Sequence, residues 1–292
     1  MRIWSMSIFD GLDEKYSILA AGRKDIDFIG LNISTPELKI YQRCGAQDEI
    51  SRLLKARGML INAETVLSSK RTEGIRRTDL AIGERTDSNM EYLFSLLREK
   101  TDFFAAHEQA VRKFASLRVT DAEGYKFMSL YHIGLTEYYG AVTALKLYLF
   151  LRRCSDPCID FWRFEYMDQY FIESLKDILA PEYGDLLLMA ESILSEPAKH
   201  LWMLGIDITS SGAEKIKVYI RNTDRSENIY RLLADVLEKD GRRAFLTAGL
   251  IESESWHARH KELKCEGAAL GMNLRGEYSL NLYFSEEEQK SV

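Results

Sequence analysis

A phrase of cation, aliphatic residue and tyrosine recurs along the chain, as Lys39-Ile40-Tyr41, Lys146-Leu147-Tyr148 and Lys217-Val218-Tyr219, with an amide variant at Asn281-Leu282-Tyr283. In an extended strand, residues two apart face the same side, so each phrase sets an ammonium or an amide beside a phenol. Several such strands in one sheet would aim Lys and Tyr at a common place. That place suits an anion, and an oligophosphate better than a lone carboxylate. Any single copy is also what an ordinary strand displays, because tyrosine favours strands and lysine tolerates solvent. The recurrence, not the individual copy, is the signal.

The elements that must position these residues read as strand pairs separated by helical stretches. Tyr16–Ala21 and Ile26–Ile33 are apolar and β-branched, and Leu38–Gln42 follows across the turn signal Ser34-Thr35-Pro36. Gln47–Leu60 carries Ile50, Leu53, Leu54 and Met59 at helical spacing. Asn62–Ser69 and Gly74–Ile82 suggest a second hairpin, and Asn89–Leu117 two helices. Ser129–Tyr138 and Val142–Leu151 pair around Tyr139-Gly140, and Asp160–Leu194 is helical. Leu201–Ile208 and Lys215–Arg221 make the clearest hairpin. Glu227–Glu238 is an amphipathic helix, and Phe245–Ile251, Ala268–Leu274 and Tyr278–Phe284 close the chain as strands. A parallel βαβ sheet would space single strands between helices, which this does not. The pattern predicts an α+β fold, one antiparallel sheet of consecutive hairpins covered by helices. If it closes, it is a barrel of about ten strands, wide enough to hold a ligand.

Composition narrows the partners. The 292 residues carry a formal net charge of −6, so there is no overall basic field for nucleic acid. No apolar run reaches the length of a membrane span, and the first residues lack the layout of a signal peptide. Four cysteines are too few and too scattered for a disulfide framework. With only four prolines and no low-complexity tract, no linker is evident. The chain reads as a soluble, cytoplasmic protein forming one domain over residues 1–292, frayed from about residue 285; the sequence leaves its oligomeric state open.

Alternating helical pairs and hairpins, with Lys-x-Tyr on inward-facing strands, resemble the ABBA (PT-barrel) aromatic prenyltransferases, which include phenol, naphthalene, indole and cyanobactin peptide prenyltransferases. The most family-like segment is Leu204-Gly-Ile-Asp-Ile-Thr-Ser-Ser-Gly-Ala-Glu-Lys-Ile-Lys-Val-Tyr-Ile-Arg221. Gly22-Arg-Lys-Asp-Ile-Asp-Phe28 resembles the first hairpin of the bacterial members, Gly74-Ile-Arg-Arg-Thr78 the second, and Gly271–Tyr283 the last. The likeness spans roughly residues 16–284, carried by the order and spacing of motifs that are individually short. The family has two helices ahead of its first hairpin, where this chain has only a short segment.

The resemblance implies transfer of a prenyl group, dimethylallyl or geranyl, from a prenyl diphosphate to an electron-rich acceptor: an aromatic small molecule, an indole or a peptide side chain. Cations must hold the diphosphate as it leaves, aromatic faces must shelter the allylic cation, and a carboxylate can take the proton the acceptor gives up. Carried over position by position, Arg77 (with Arg76 beside it), Lys146, Lys217 and Arg275 form the diphosphate cradle, and Tyr148, Tyr219, Tyr283 and Asn281 line the shield. Lys39 and Tyr41 fit the phrase. In the second hairpin the tyrosine position holds Asp79, a gap in the shield. Asp27 stands where some members keep an acidic residue, as base or as a ligand for Mg2+ bridging diphosphate oxygens. No Asp-Asp-x-x-Asp run exists, which argues against the all-helical prenyl synthases.

Other features have plainer readings. Taken alone, Asp27 reads more readily as a hairpin surface carboxylate than as a catalytic group. His257-Ala-Arg-His260 spaces two imidazoles as metal ligands on a helix would be, yet has no third ligand nearby and reads as a charged loop. Cys154-Ser-Asp-Pro-Cys158 reads as a turn, and Phe161–Tyr166 as helix-to-sheet packing. Two rivals to the enzyme stand: a non-catalytic barrel binding an apolar or anionic ligand, and an interaction module with an open sheet edge. Convergence of Arg77, Lys146 and Lys217 on one interior separates the first reading from both.

Overall fold

The computed structural model describes residues 11–23, 26–35, 37–46, 48–70, 73–83, 87–115, 126–154, 199–222, 229–238 and 244–286. Ten antiparallel strands close a barrel in chain order: β1 (Ile26–Asn32), β2 (Glu37–Cys44), β3 (Leu60–Ser68), β4 (Ile75–Ile82), β5 (Lys126–Tyr138), β6 (Ala141–Cys154), β7 (Lys199–Thr209), β8 (Gly212–Asn222), β9 (Leu263–Asn273) and β10 (Tyr278–Glu286). Each odd strand and its successor form a hairpin, so all five hairpin turns lie at one end of the barrel. The longer connections leave from the other end. Closure comes from β10 pairing with β1, Tyr283 opposite Gly30 and Asn281 opposite Asn32.

Alternation along the strands, interrupted by bulges, builds two interiors. One face of the strands (Ile29, Leu31, Leu38, Ile40, Leu80, Ile82, Leu145, Leu147, Leu204, Ile206, Val218, Ile220, Leu280 and Leu282) is buried beneath helices. The intervening residues point into the lumen, where Tyr148, Met203, Tyr219 and Ala269, with Tyr283 against them, form a separate cluster. The helix-facing core uses β-branched and leucine side chains, as a pleated surface under helices requires.

Six helices are described: α1 (Leu12–Ala20), α2 (Glu49–Ala56), α3 (Asp87–Lys100), α4 (Asp102–Ala115), α5 (Ile229–Glu238) and α6 (Ala244–Arg259). Asp48 caps α2, its carboxylate accepting from the Ser51 N–H at 2.7 Å. Helices α3 and α4 stack Phe94 on Phe104, with ring centroids 5.9 Å apart. Glu108 bridges Arg98 and Arg112, and Arg112 reaches on to Glu91.

Three expectations are corrected. Tyr16–Ala21, expected as a strand, lies largely in α1, where Leu12, Tyr16 and Leu19 share one face and Tyr16 sets its edge against Trp256 at 6.0 Å. Phe245–Ile251, also expected as a strand, belongs to α6, which buries Leu246 and Leu250 one turn apart. A short apolar run fits either period, and here the tertiary partners of each run decide for the helix. The His257–His260 segment is the end of α6 rather than a loop. His257 contacts the Tyr230 hydroxyl at 3.0 Å and the Leu263 carbonyl at 2.9 Å, so both its ring nitrogens serve packing. At the C-terminus β10 runs to Glu286, one residue past the expected fraying point. The Asp160–Leu194 helix, the Phe161–Tyr166 cluster and the turn after Cys154 fall outside the described residues.

Candidate functional site

The register of the barrel turns the recurring phrase into a geometric rule. Each lumen-facing residue two along from a cation, or from the Asn281 amide, lies in line, across one intervening strand, with the cation or amide of the next hairpin. Tyr283 faces Lys39 across Gly30. Tyr41 faces Arg77 across Val66. Asp79 faces Lys146 across Gly134, and Tyr148 faces Lys217 across Gly205. Tyr219 faces Asn281 across Ala269. Strand tilt converts these five slanted rows into a ring of four phenols and Asp79, with a ring of four cations and one amide nearer the hairpin turns.

The phenols form an arc. Ring centroids of Tyr148 and Tyr219 are 6.0 Å apart, those of Tyr219 and Tyr283 are 5.7 Å apart, and those of Tyr283 and Tyr41 are 6.1 Å apart. Tyr283 is hydrogen-bonded to both Tyr219 and Tyr41. The Lys146 ammonium stands 5.1 Å from the Tyr148 ring centre and 6.0 Å from that of Tyr219. The Arg77 guanidinium lies 5.9 Å from the Tyr148 ring. It also forks onto Asp79, with Nε to Oδ1 at 2.9 Å and Nη2 to Oδ2 at 2.7 Å, and donates to the Tyr148 hydroxyl. That hydroxyl in turn donates to Asp79 Oδ2 at 3.1 Å.

Burial in this chamber acts on its phenols and on the ammonium groups of Lys146, Lys215 and Lys217. It drives the phenols of Tyr41, Tyr148, Tyr219 and Tyr283 well up, so they remain neutral donors. It pulls the Lys146 and Lys217 ammonium groups down. Asp207, 3.2 Å from Lys146, offsets part of that for Lys146, while its neighbour Lys146 pushes Lys217 further down. Lys215 falls to about 8 for the same reasons, burial first and then Lys217. No ion pair or hydrogen bond holds Lys217 among the described residues. Near it Ser279 Oγ and Asn281 Nδ2 are buried without partners. The chamber thus holds donors and cations in want of an anion. Asp79 runs the other way: burial would raise it, but the Arg77 charge and hydrogen bonds hold it below the ordinary carboxylate range.

Of the residues singled out by sequence, Arg77, Lys146, Lys217, Tyr148, Tyr219, Asn281 and Tyr283 meet in the lumen, and Lys39 and Tyr41 join them. Arg76, alternating with Arg77, faces outward and is exposed. Arg275 is exposed in the turn between β9 and β10, its backbone N–H on Asn273 Oδ1, and is not among the buried cations of the lumen. Asp27 is paired with Arg43 at 2.5 and 3.2 Å and hydrogen-bonded to Glu64, which lies opposite Asp79 on β3. Glu64 is only 7% exposed, and burial, then Asp79 and Asp27, push its carboxyl up to about 8. With a guanidinium on one side and a protonated carboxyl on the other, Asp27 does not fit a magnesium site.

Sequence reading missed Glu64, Asp207, Lys215 and above all the lumen glycines. A Cβ on Gly205 would stand 2.9 Å from the Tyr219 ring and 3.4 Å from Lys146 Cε, and one on Gly271 would stand 2.9 Å from Lys217 Cγ. One on Gly134 would run into the Asp79 carboxylate. Their signal was present: apolar-Gly-apolar at Ile29-Gly30-Leu31, Ile133-Gly134-Leu135, Leu204-Gly205-Ile206 and Leu270-Gly271-Met272 marks strands where a large neighbour must cross the backbone.

No family model and no curated protein sequence matches the chain. Among solved structures it is similar to 5-dimethylallyl tryptophan synthase from Streptomyces coelicolor, in complex with DMASPP and Trp. The TM-score is 0.55 at 12% identity, covering 92% of this chain and 80% of that one. It is also similar to AnaPT from Neosartorya fischeri, with a TM-score of 0.51 at 10% identity, covering 89% of this chain and 77% of that one. At such identities the likeness is one of fold: the chain has the ABBA prenyltransferase barrel.

Proposed function

We propose that this chain transfers a prenyl group from a prenyl diphosphate to an electron-rich aromatic acceptor. The observation that carries the reading is the convergence of Arg77, Lys146 and Lys217 with Tyr41, Tyr148, Tyr219 and Tyr283 in one buried lumen, in the barrel of enzymes that act on such substrates. The cations and the orphaned Ser279 and Asn281 groups hold the diphosphate. The bond from C1 of the prenyl chain to the diphosphate oxygen breaks heterolytically, its electron pair leaving with the diphosphate, whose charge the cations stabilise as it develops. The allylic cation then lies among phenol faces that attract it and exclude water. The acceptor carbon supplies the pair for the new C–C bond and loses a proton, for which Asp27, hydrogen-bonded to the Glu64 carboxyl, is the proposed acceptor. Any metal would ride on the diphosphate, so anion binding is expected to survive chelation.

Titration calorimetry with inorganic pyrophosphate, with and without EDTA, tests the cradle. Lys217→Ala is expected to weaken binding by about tenfold to a hundredfold, the value of a charge-assisted hydrogen bond. Incubation with dimethylallyl and geranyl diphosphates and a panel of phenols, indoles and aromatic peptides, read by mass spectrometry, tests the transfer. Absence of pyrophosphate binding sinks the proposal. Binding with neither diphosphate release nor product would make the barrel a non-catalytic binder of anions.

A further inference from the structure

Four of the five slanted rows in the lumen begin with a phenol, and the fifth begins with Asp79. By sequence Asp79 is a hole in the shield; its surroundings give it another character. It is 3% exposed, fixed at both oxygens by Arg77, and receives the Tyr148 hydroxyl. It leans across Gly134, whose missing side chain is what admits the carboxylate at this level. On the strands it closes the arc between Tyr41 on β2 and Tyr148 on β6, the one gap in the phenol series.

Building on the proposed prenyl transfer, we infer that Asp79 is a catalytic residue, a fixed counter-anion for the allylic cation that the phenols surround. Three physical arguments support this. A carboxylate in a water-poor chamber attracts a developing cation more strongly than a phenol face does. When the diphosphate engages Arg77, the guanidinium no longer cancels the Asp79 charge alone. Accepting the Tyr148 hydrogen bond also offsets the pull of the Arg77 guanidinium on that phenol oxygen, and so keeps its ring richer in electrons toward the cation. Because Arg77 holds Asp79 ionised, it acts by charge and not as a base. The same charge opposes the diphosphate before and after the bond breaks, whereas its attraction for the allylic cation exists only once the bond is breaking, which is the differential binding that catalysis needs.

The test uses the full chain, Asp79→Asn, and two readouts. The first is pyrophosphate affinity by calorimetry. The second is release of diphosphate from dimethylallyl diphosphate without acceptor, where water captures the cation to give the alcohol and a proton. Asparagine keeps the shape and removes the charge. Pyrophosphate is expected to bind Asp79→Asn as tightly as wild type or several-fold tighter, while diphosphate release slows by about a hundredfold, the scale of losing one preorganised electrostatic group. Should affinity and release fall together, Asp79 merely orients Arg77 and the inference fails. It fails equally if release is unchanged. If Asp79→Asn does not fold by thermal melting, Asp79→Ser, smaller and neutral, is put through the same two measurements under the same criteria. Wild type that neither binds pyrophosphate nor releases it from substrate refutes the prenyl-transfer reading itself, a result distinct from either failure above.

Discussion

Glu64 shows how one side chain reports the dielectric of the chamber. Its neighbours Asp79 and Asp27 are acidic, and it is nearly excluded from water, so its carboxyl holds a proton up to about pH 8. Unfolded, it would lose that proton near the ordinary 4.5. The folded chain therefore binds the proton more tightly, and the stability this gives is full below the unfolded value and is lost as pH rises through about 8. Glu64→Gln cannot ionise and escapes the loss, which for wild type is on the order of a few kcal/mol. Melting curves should place the variant close to wild type at pH 5 and several degrees above it at pH 8. Parallel curves at the two pH values would mean that the chamber admits enough water to solvate the carboxylate.

At the scale of elements, the cradle depends on odd strands of which four, at Gly30, Gly134, Gly205 and Ala269, carry almost no side chain where even strands carry large ones. Gly205 sits between Tyr148 and Lys217 in register, and its missing Cβ is space already used by Tyr219 and the Lys146 stem. Gly205→Ala should leave the helix-facing core intact, since Leu204 and Ile206 on either side point the other way. It should shift Tyr219 and Lys146 together, weakening pyrophosphate binding at least about tenfold at an overpacking cost of about 1–3 kcal/mol in stability. Unaltered affinity would show that the rows have slack. These strands also mark where reading the sequence succeeded and failed. The hairpins around Lys146, Lys217 and Tyr283 were legible because apolar alternation and turn residues agree locally. The arrival of Lys39 and Tyr41 in the same ring depends on barrel closure, which no local pattern encodes. The family resemblance puts Arg275 in the cradle, but the tight turn from Asn273 to Glu277, held by the Asn273 carboxamide, leaves it exposed. The strand-like runs at Tyr16 and Phe245 became helices because tertiary partners, Trp256 for the first and the buried face with Leu246 and Leu250 for the second, overrode short-range propensity.

For the whole molecule the decisive contact is the one farthest apart in sequence, between the first strand and the last. Pairing Ile29 with Phe284 and Gly30 with Tyr283 removes both sheet edges at once. It places Tyr283 next to Tyr41 to complete the phenol arc. Trp256 and His257 on α6 lean on Phe284, and Tyr16 on α1 leans on Trp256, so the helices around the closure brace it from outside. Such non-local pairing makes folding slow and leaves unpaired strands exposed until the ring shuts. Ending the chain after residue 277 would delete β10, expose the edges of β1 and β9, and take away Asn281 and Tyr283. An open edge is a template for another chain. Size-exclusion chromatography should therefore find the shortened protein in larger, heterogeneous species than the full chain, with no measurable pyrophosphate binding. A shortened chain that keeps the full-length elution and still binds pyrophosphate would mean that nine strands hold the cradle without closure, and that the β1–β10 seam serves stability alone.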